Sequence, residues 1–250
     1  MPASAFLAFS ALARIASLNL CTDEYLLLLA RPGEVASVSY LSQDPQESPL
    51  WPTARAYKGN RGSLEDVLAM RPTIILTMGG GGRATKLIAP RLHIKAIDLP
   101  FGSSLDDVER NLRVVATALG EPQRATPWIE QIKQLRRTLP RQPYDSIFIS
   151  GHGDSLSPGS LGAQWLQLAG FRQRALPGGK ATLETLLTHP PSYLIRSNYR
   201  SGEMSGGLRW LDHPIVRHAA SKQLVADGRR WTCLGPLMIG EIKRLRKSAP

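Results

Sequence analysis

Ser63-Leu64-Glu65-Asp66-Val67-Leu68-Ala69-Met70-Arg71-Pro72-Thr73-Ile74-Ile75-Leu76-Thr77-Met78 decides the fold, because the chain writes it twice. The second copy reads Thr182-Leu183-Glu184-Thr185-Leu186-Leu187-Thr188-His189-Pro190-Pro191-Ser192-Tyr193-Leu194-Ile195-Arg196-Ser197. Each opens on a hydroxyl residue able to cap a short helix. Each places a Glu in the first turn, where the helix dipole favours a carboxylate. A Pro then ends the helix, since the residue before it is pushed out of the α region. The apolar run that follows reads as a buried strand. Two such units with an acid at the same place predict an α/β chain of two similar lobes.

Between the copies lie two helical stretches. Ser104 precedes Leu105 to Leu119, where Val108, Leu112, Val115 and Leu119 share one face. Gly120-Glu121-Pro122 breaks it. Thr126 to Leu139 follows, with Pro127 in its first turn and Trp128, Ile132, Leu135 and Leu139 at helical spacing. This second helix reads as a stiff connector, unlike a Gly/Ser linker. The expected division is a leader at 1–13, an N-terminal lobe at 14–122, a connecting helix at 123–140 and a C-terminal lobe at 141–250.

In the first half, Arg14 to Leu20 reads as a strand, and Thr22 and Asp23 offer a cap to a leucine-rich helix ending before Pro32-Gly33. Val35 to Tyr40 is a second strand. Ser42 to Lys58, rich in Pro, Gln and Ser and carrying Trp51 and Tyr57, reads as a loop. The second half starts over with a strand at Asp145 to Ser150, a helix at Leu161 to Ala169 closed by Gly170, the repeat, a loop at Asn198 to Gly207, a strand at Gln223 to Ala226 and a last helix at Leu237 to Arg246. Gly79-Gly80-Gly81-Gly82 lets the backbone approach another group closely. No Gly-Lys-Ser/Thr follows, and contiguous glycines fail the dinucleotide fingerprint, so ATP and NAD are disfavoured.

The 250 residues, 42% hydrophobic, suffice for two lobes of ordinary size. The formal charge is +11, but the basic residues are scattered and no zinc-finger or RNP pattern accompanies them, so nucleic acid is not an expected partner. No apolar run approaches the 18 residues of a membrane helix. Ala5 to Ala13 is small and apolar, and Ala11-Leu12-Ala13 before Arg14 resembles a signal-peptidase site, although a basic n-region is missing. Cys21 and Cys233 permit one disulfide in an export compartment; two buried thiols are the other reading.

Taken together, the chain resembles the substrate-binding proteins of ABC importers for vitamin B12, haem and iron-siderophore complexes. The resemblance rests on Arg14-Ile15-Ala16-Ser17-Leu18-Asn19, on Leu64 to Pro72, on Asn111 to Gly120, on Leu168-Ala169-Gly170-Phe171 and on the second acidic repeat. Pro72-Thr73 and Pro191-Ser192 depart from the usual Pro-Asp. The resemblance implies two Rossmann-like lobes joined by one helix, with a ligand cleft between them. It implies a periplasmic monomer without a resident cofactor or catalytic residues. Its cargo would be a ferric siderophore, haem or cobalamin. Its partner would be an ABC permease dimer, met through Glu65 and Glu184. Strand ends facing a cleft are where α/β sheets bind ligands. Those positions make Tyr40, Trp51, Gly80, Gly81, Arg83, His152, Tyr199 and Arg200 the expected ligand residues, with Arg83 and Arg200 suited to carboxylates. The five histidines show no ligand pair at i, i+3 or i+4, so no bare metal site is expected. The alternatives are a cytosolic ligand sensor on the same fold, and a hydrolase-like enzyme. For the latter, Gly151-His152-Gly153-Asp154-Ser155 lacks the order of a nucleophile elbow, and Cys233 with His152 has no supporting spacing.

Overall fold

The computed structural model describes residues 13–200 and 205–248. All of the expected leader except Ala13 lies outside the described residues. Five strands form the first sheet: β1 (Ile15–Ser17), β2 (Val35–Ser39), β3 (Gly59–Asn60), β4 (Ile74–Met78) and β5 (Lys95–Leu99), in the order β3-β2-β1-β4-β5. Four form the second: β6 (Tyr144–Ile149), β7 (Phe171–Gln173), β8 (Tyr193–Asn198) and β9 (Lys222–Asp227), in the order β7-β6-β8-β9. Every ladder is parallel. Parallel neighbours need a crossover, which accounts for the helices between strands. The second sheet repeats the order of four strands of the first, with β8 in the place of β4. The written repeat is therefore a repeat of structure.

The first lobe carries α1 (Leu20–Leu29), α2 (Trp51–Ala54), α3 (Leu64–Leu68) and α4 (Arg83–Ile88). Helices α5 (Leu105–Ala118) and α6 (Thr126–Arg137) lie between the sheets in sequence. The second lobe carries α7 (Leu161–Leu168), α8 (Leu183–Thr188), α9 (Gly206–Leu211), α10 (Pro214–Arg217), α11 (Gly228–Cys233) and α12 (Met238–Ser248). As the repeat predicts, the Ser63 hydroxyl accepts from the Asp66 N–H at 3.2 Å and the Thr182 hydroxyl from the Thr185 N–H at 3.0 Å. Each caps one copy. Strand β4 is buried along its whole length.

Helix α5 is closed by a capping box of Ser104 and Asp107 and buries Val108, Leu112, Val115 and Ala116. Helix α6 spans about 18 Å at 1.5 Å per residue. It ends two residues earlier than its periodicity predicts, because Thr138 leaves the helical region; Leu139 is then exposed. One apolar core runs from Ile15 and Leu26 through Leu112, Ile132 and Leu135 to Phe148, Trp165 and Ile242. The lobes thus share a core instead of meeting at a bare hinge.

Three contacts pin α1 and α7 to the segment after β9. Cys21 and Cys233 form a disulfide. Glu24 Oε1 accepts from the Leu237 N–H at 2.6 Å, and the Trp165 indole N–H donates to the Leu234 carbonyl at 2.9 Å.

Three local expectations need correction. The cap of α1 is Asn19, whose side chain accepts from the Thr22 N–H; Thr22 and Asp23 are buried inside the first turn. The stretch from Ser42 to Lys58 is not a plain loop, since it contains α2 and leads into β3. Strand β7 and helix α11 are additional elements, too short for periodicity to reveal.

Candidate functional site

The candidate site is built from the segments that follow the carboxyl ends of the strands in both sheets. From the first lobe come Tyr40 after β2, the glycine turn after β4 and Phe101 after β5. From the second come Ser150 to Gly153 after β6, Tyr199 and Arg200 after β8, and Gly228 to Trp231 after β9. Contacts between the lobes join the segment after β2 to those after β8 and β9. Glu47 accepts hydrogen bonds from the Tyr199 hydroxyl and the Arg200 guanidinium, and the Pro45 carbonyl accepts from Arg229 Nη1 at 2.8 Å.

A cavity of about 390 Å³ lies on the second lobe's side. Phe148, Leu156, Leu208, Leu211 and Trp231 give it an apolar wall, and Ser150, Ser197, Tyr199 and Arg200 give it a polar edge. The Phe148 and Trp231 rings pack with centroids 4.4 Å apart, an arrangement that rigidifies both. A second cavity, about 540 Å³, is polar and is lined by Pro45, Gln46, Asn198, Arg200, Arg229 and Arg244 among others. Arg200 borders both cavities. Partial burial, together with the Glu47 carboxylate at its hydroxyl, pushes Tyr199 up to about 12, so it remains a neutral hydrogen-bond donor.

The structure places the expected residues unequally. Tyr199 and Arg200 meet at the cavity edge. Tyr40 stands at the end of β2 and is 56% exposed. Gly80, Gly81 and Arg83 stand exposed after β4, but the glycine turn is folded onto Asp98, which accepts from the Gly80 N–H at 3.1 Å and the Thr77 hydroxyl at 2.7 Å. Gly82 is required there, because an added Cβ would sit 2.2 Å from Thr77 Oγ1. His152 is exposed, in the left-handed region at φ 60°, with its ring against Gly206 and Gly207; it lines neither cavity. Trp51 also lines neither: it sits in α2, with the Arg55 guanidinium 4.5 Å above its ring.

Sequence reasoning missed Phe148, Trp231, Glu47 and Phe101. An aromatic within or just after a strand's carboxyl end was the available signal for the three aromatics. Phe101, 60% exposed, follows β5 in this way.

Glu65 and Glu184 occupy the first turns of α3 and α8, exposed and without an ion-pair partner among the described residues. Leu68 and Leu187, three residues on from each Glu, are also exposed, at 39% and 62%. Cys233 is in the disulfide and offers no thiolate, which removes it as a nucleophile. Among the described residues no group of three His, Cys, Asp or Glu could hold a metal ion, and no helix is long and apolar enough to cross a membrane.

Helix α1 carries two buried carboxyls, Asp23 and Glu24. Asp23 accepts from the Ser39 N–H and hydroxyl, and Glu24 from the Leu237 N–H. Burial raises both to about 7, against the lowering effect of those donors. Each binds its proton more tightly folded than unfolded, where carboxyls titrate at about 4. Their contribution to stability is complete below about pH 4 and is lost as pH rises to about 7. The urea midpoint is expected to fall between pH 5 and pH 7.5. An Asp23→Asn, Glu24→Gln variant should show a flatter profile; an identical slope in the variant would assign the pH dependence to other groups.

Two parallel sheets, joined through a helix and a shared core, define a two-lobed α/β fold. Residues 15–138, from β1 through α6, match the sequence model described as "Periplasmic binding protein". Solved structures extend the likeness in fold to the second sheet. The periplasmic haem-binding protein HutB of Vibrio cholerae superposes with a TM-score of 0.75 at 19% identity, covering 95% of this chain and 99% of its own. A periplasmic binding protein of Veillonella parvula gives 0.72 at 14% identity, with 96% and 92% covered. The periplasmic vitamin B12-binding protein BtuF of Vibrio cholerae gives 0.64 at 17% identity, with 94% and 96% covered. No curated protein matches the sequence.

Proposed function

We propose that the protein captures a metal chelate of the iron-siderophore, haem or cobalamin type in its cleft and delivers it to an ABC permease in the membrane. The observation that carries this reading is the 390 Å³ cavity, whose apolar aromatic wall ends in Tyr199 and Arg200. Such a surface suits a large, partly apolar ligand with a polar or anionic edge. The haem- and B12-binding proteins of the same fold favour the same cargo class. In this reading Tyr40, Phe101, Gly80, Gly81 and Arg83 bound the ligand from lobe 14–122, and His152, Tyr199 and Arg200 from lobe 141–250. No bond of the cargo is made or broken. The protein is exported to the periplasm and works as a monomer, docking on the permease dimer through Glu65 and Glu184.

Trp231 supplies the test, because it lines the cavity. Tryptophan fluorescence is followed on titration with haemin, cobalamin and a panel of ferric siderophores. Saturable quenching by one of them at one site per chain is expected, and a Trp231→Phe variant should lose a large part of the signal. Flat titrations with every chelate would overturn the reading.

A further inference from the structure

Glu47 is a first-lobe residue, 5% exposed, whose carboxylate is spent entirely on the other lobe. Its loop is anchored at home: the Glu47 and Ser48 N–H groups both donate to the Asp44 carbonyl, at 3.1 and 3.0 Å. Its side chain crosses the cleft, Oε2 accepting from the Tyr199 hydroxyl and Oε1 from Arg200 Nη1. Arg229 Nη1 grips the same loop at the Pro45 carbonyl, at 2.8 Å. Arg200 sits in the left-handed region at φ 50°, where non-glycine residues are uncommon. A phenol and a guanidinium converging on two oxygens are the donor set that recognises a carboxylate. Arg200 borders both cavities, so this contact stands where a ligand filling either would arrive. A buried carboxylate is tolerated only while it is paired, so Glu47 has no reason to stay once its donors are taken.

We infer that Tyr199 and Arg200 form a carboxylate subsite of the cleft, and that Glu47 is its built-in occupant, a clasp between the lobes that a carboxylate on the cargo displaces. The inference rests on the proposed chelate-binding function and narrows it to a cargo bearing at least one free carboxylate. The exchange trades one carboxylate for another and leaves the charge at the subsite unchanged. A chelate without a carboxylate gains nothing from opening the clasp. Cargo binds only to the opened fraction, so the clasp lowers apparent affinity by that fraction.

Two arms test this with the full chain. Without ligand, hydrogen exchange of the backbone around 44–50 and 198–200 is compared between the parent and Glu47→Gln. Faster exchange in both segments is expected, and unchanged exchange would overturn the clasp. With ligand, haemin is compared with haemin dimethyl ester, which has the same ring but capped carboxylates. Glu47→Gln should bind haemin about tenfold more tightly than the parent and leave the ester within about twofold. Equal haemin affinities, or an equal gain for the ester, would overturn displacement by a carboxylate. Haemin binding to neither protein would overturn the haem reading and displacement by a propionate with it, while the exchange arm still decides the clasp.

Discussion

A Cys21→Ser, Cys233→Ser variant is expected to lose about 5 kcal/mol of unfolding free energy. The bridge joins residues separated by 212 positions, nearly the whole length of the chain. In the chain-entropy account a closed loop of that size restricts the unfolded ensemble by about 5 kcal/mol. The native geometry does not depend on the bridge alone, because the Glu24–Leu237 hydrogen bond holds the same two segments together. The loss should therefore appear mainly as a destabilised equilibrium, not as a rearranged fold. Domains of ordinary stability hold only about 5–15 kcal/mol, so the change is large. Urea denaturation of the variant, and of the parent with and without reductant, measures it. A loss below about 1 kcal/mol would mean that the unfolded chain is already held compact by other contacts.

The second large effect falls on delivery. Under the proposed function, a Glu65→Ala, Glu184→Ala variant should keep its affinity for cargo and lose uptake. Both carboxylates are exposed and unpaired among the described residues, and both sit in the first turn of a capped helix. Each stands near an exposed leucine, Leu68 or Leu187, on the same helix. A carboxylate buried against a permease guanidinium, with an apolar rim excluding water, costs about 2 kcal/mol or more to truncate. Two such losses amount to about a thousandfold in docking affinity. Uptake is measured in cells that carry the native importer but lack their own copy of the binding protein. Normal uptake supported by the double variant would rule out these residues as the docking pair, while the cargo titration would stand untouched.

Much of the architecture was legible from local signals. The repeated capped helix, proline and strand announced β4 and β8, and the spacing of Val108, Leu112 and Val115 announced α5. These elements are decided within one stretch of chain, by caps and periodicity. What stayed hidden depends on pairs far apart. Glu47 lies in a segment that reads as an ordinary polar loop, and its partners are 152 and 153 residues away. Trp231 reads as one aromatic beside two arginines until β9 delivers it to Phe148. Asp23 looks like a helix cap until Asn19 is seen to take that role one turn earlier. Tyr199 and Arg200 are placed by the strand end they follow, whereas Trp51 lies in α2, within a stretch whose composition reads as a loop.

The disulfide also governs kinematics. Two rigid bodies have six relative degrees of freedom, and a pivot at a single point leaves three rotations. A second fixed point leaves one, a turn about the line between the two. Here the chain through α6 supplies the first point and Cys21–Cys233 the second. The shared core adds to these two points, so any parting of the lobes is held to a swing about one axis, without twist or slide, and the faces of the cleft keep one register. Cargo meets a gap of variable width and constant alignment, and its arrival requires no search among lobe orientations.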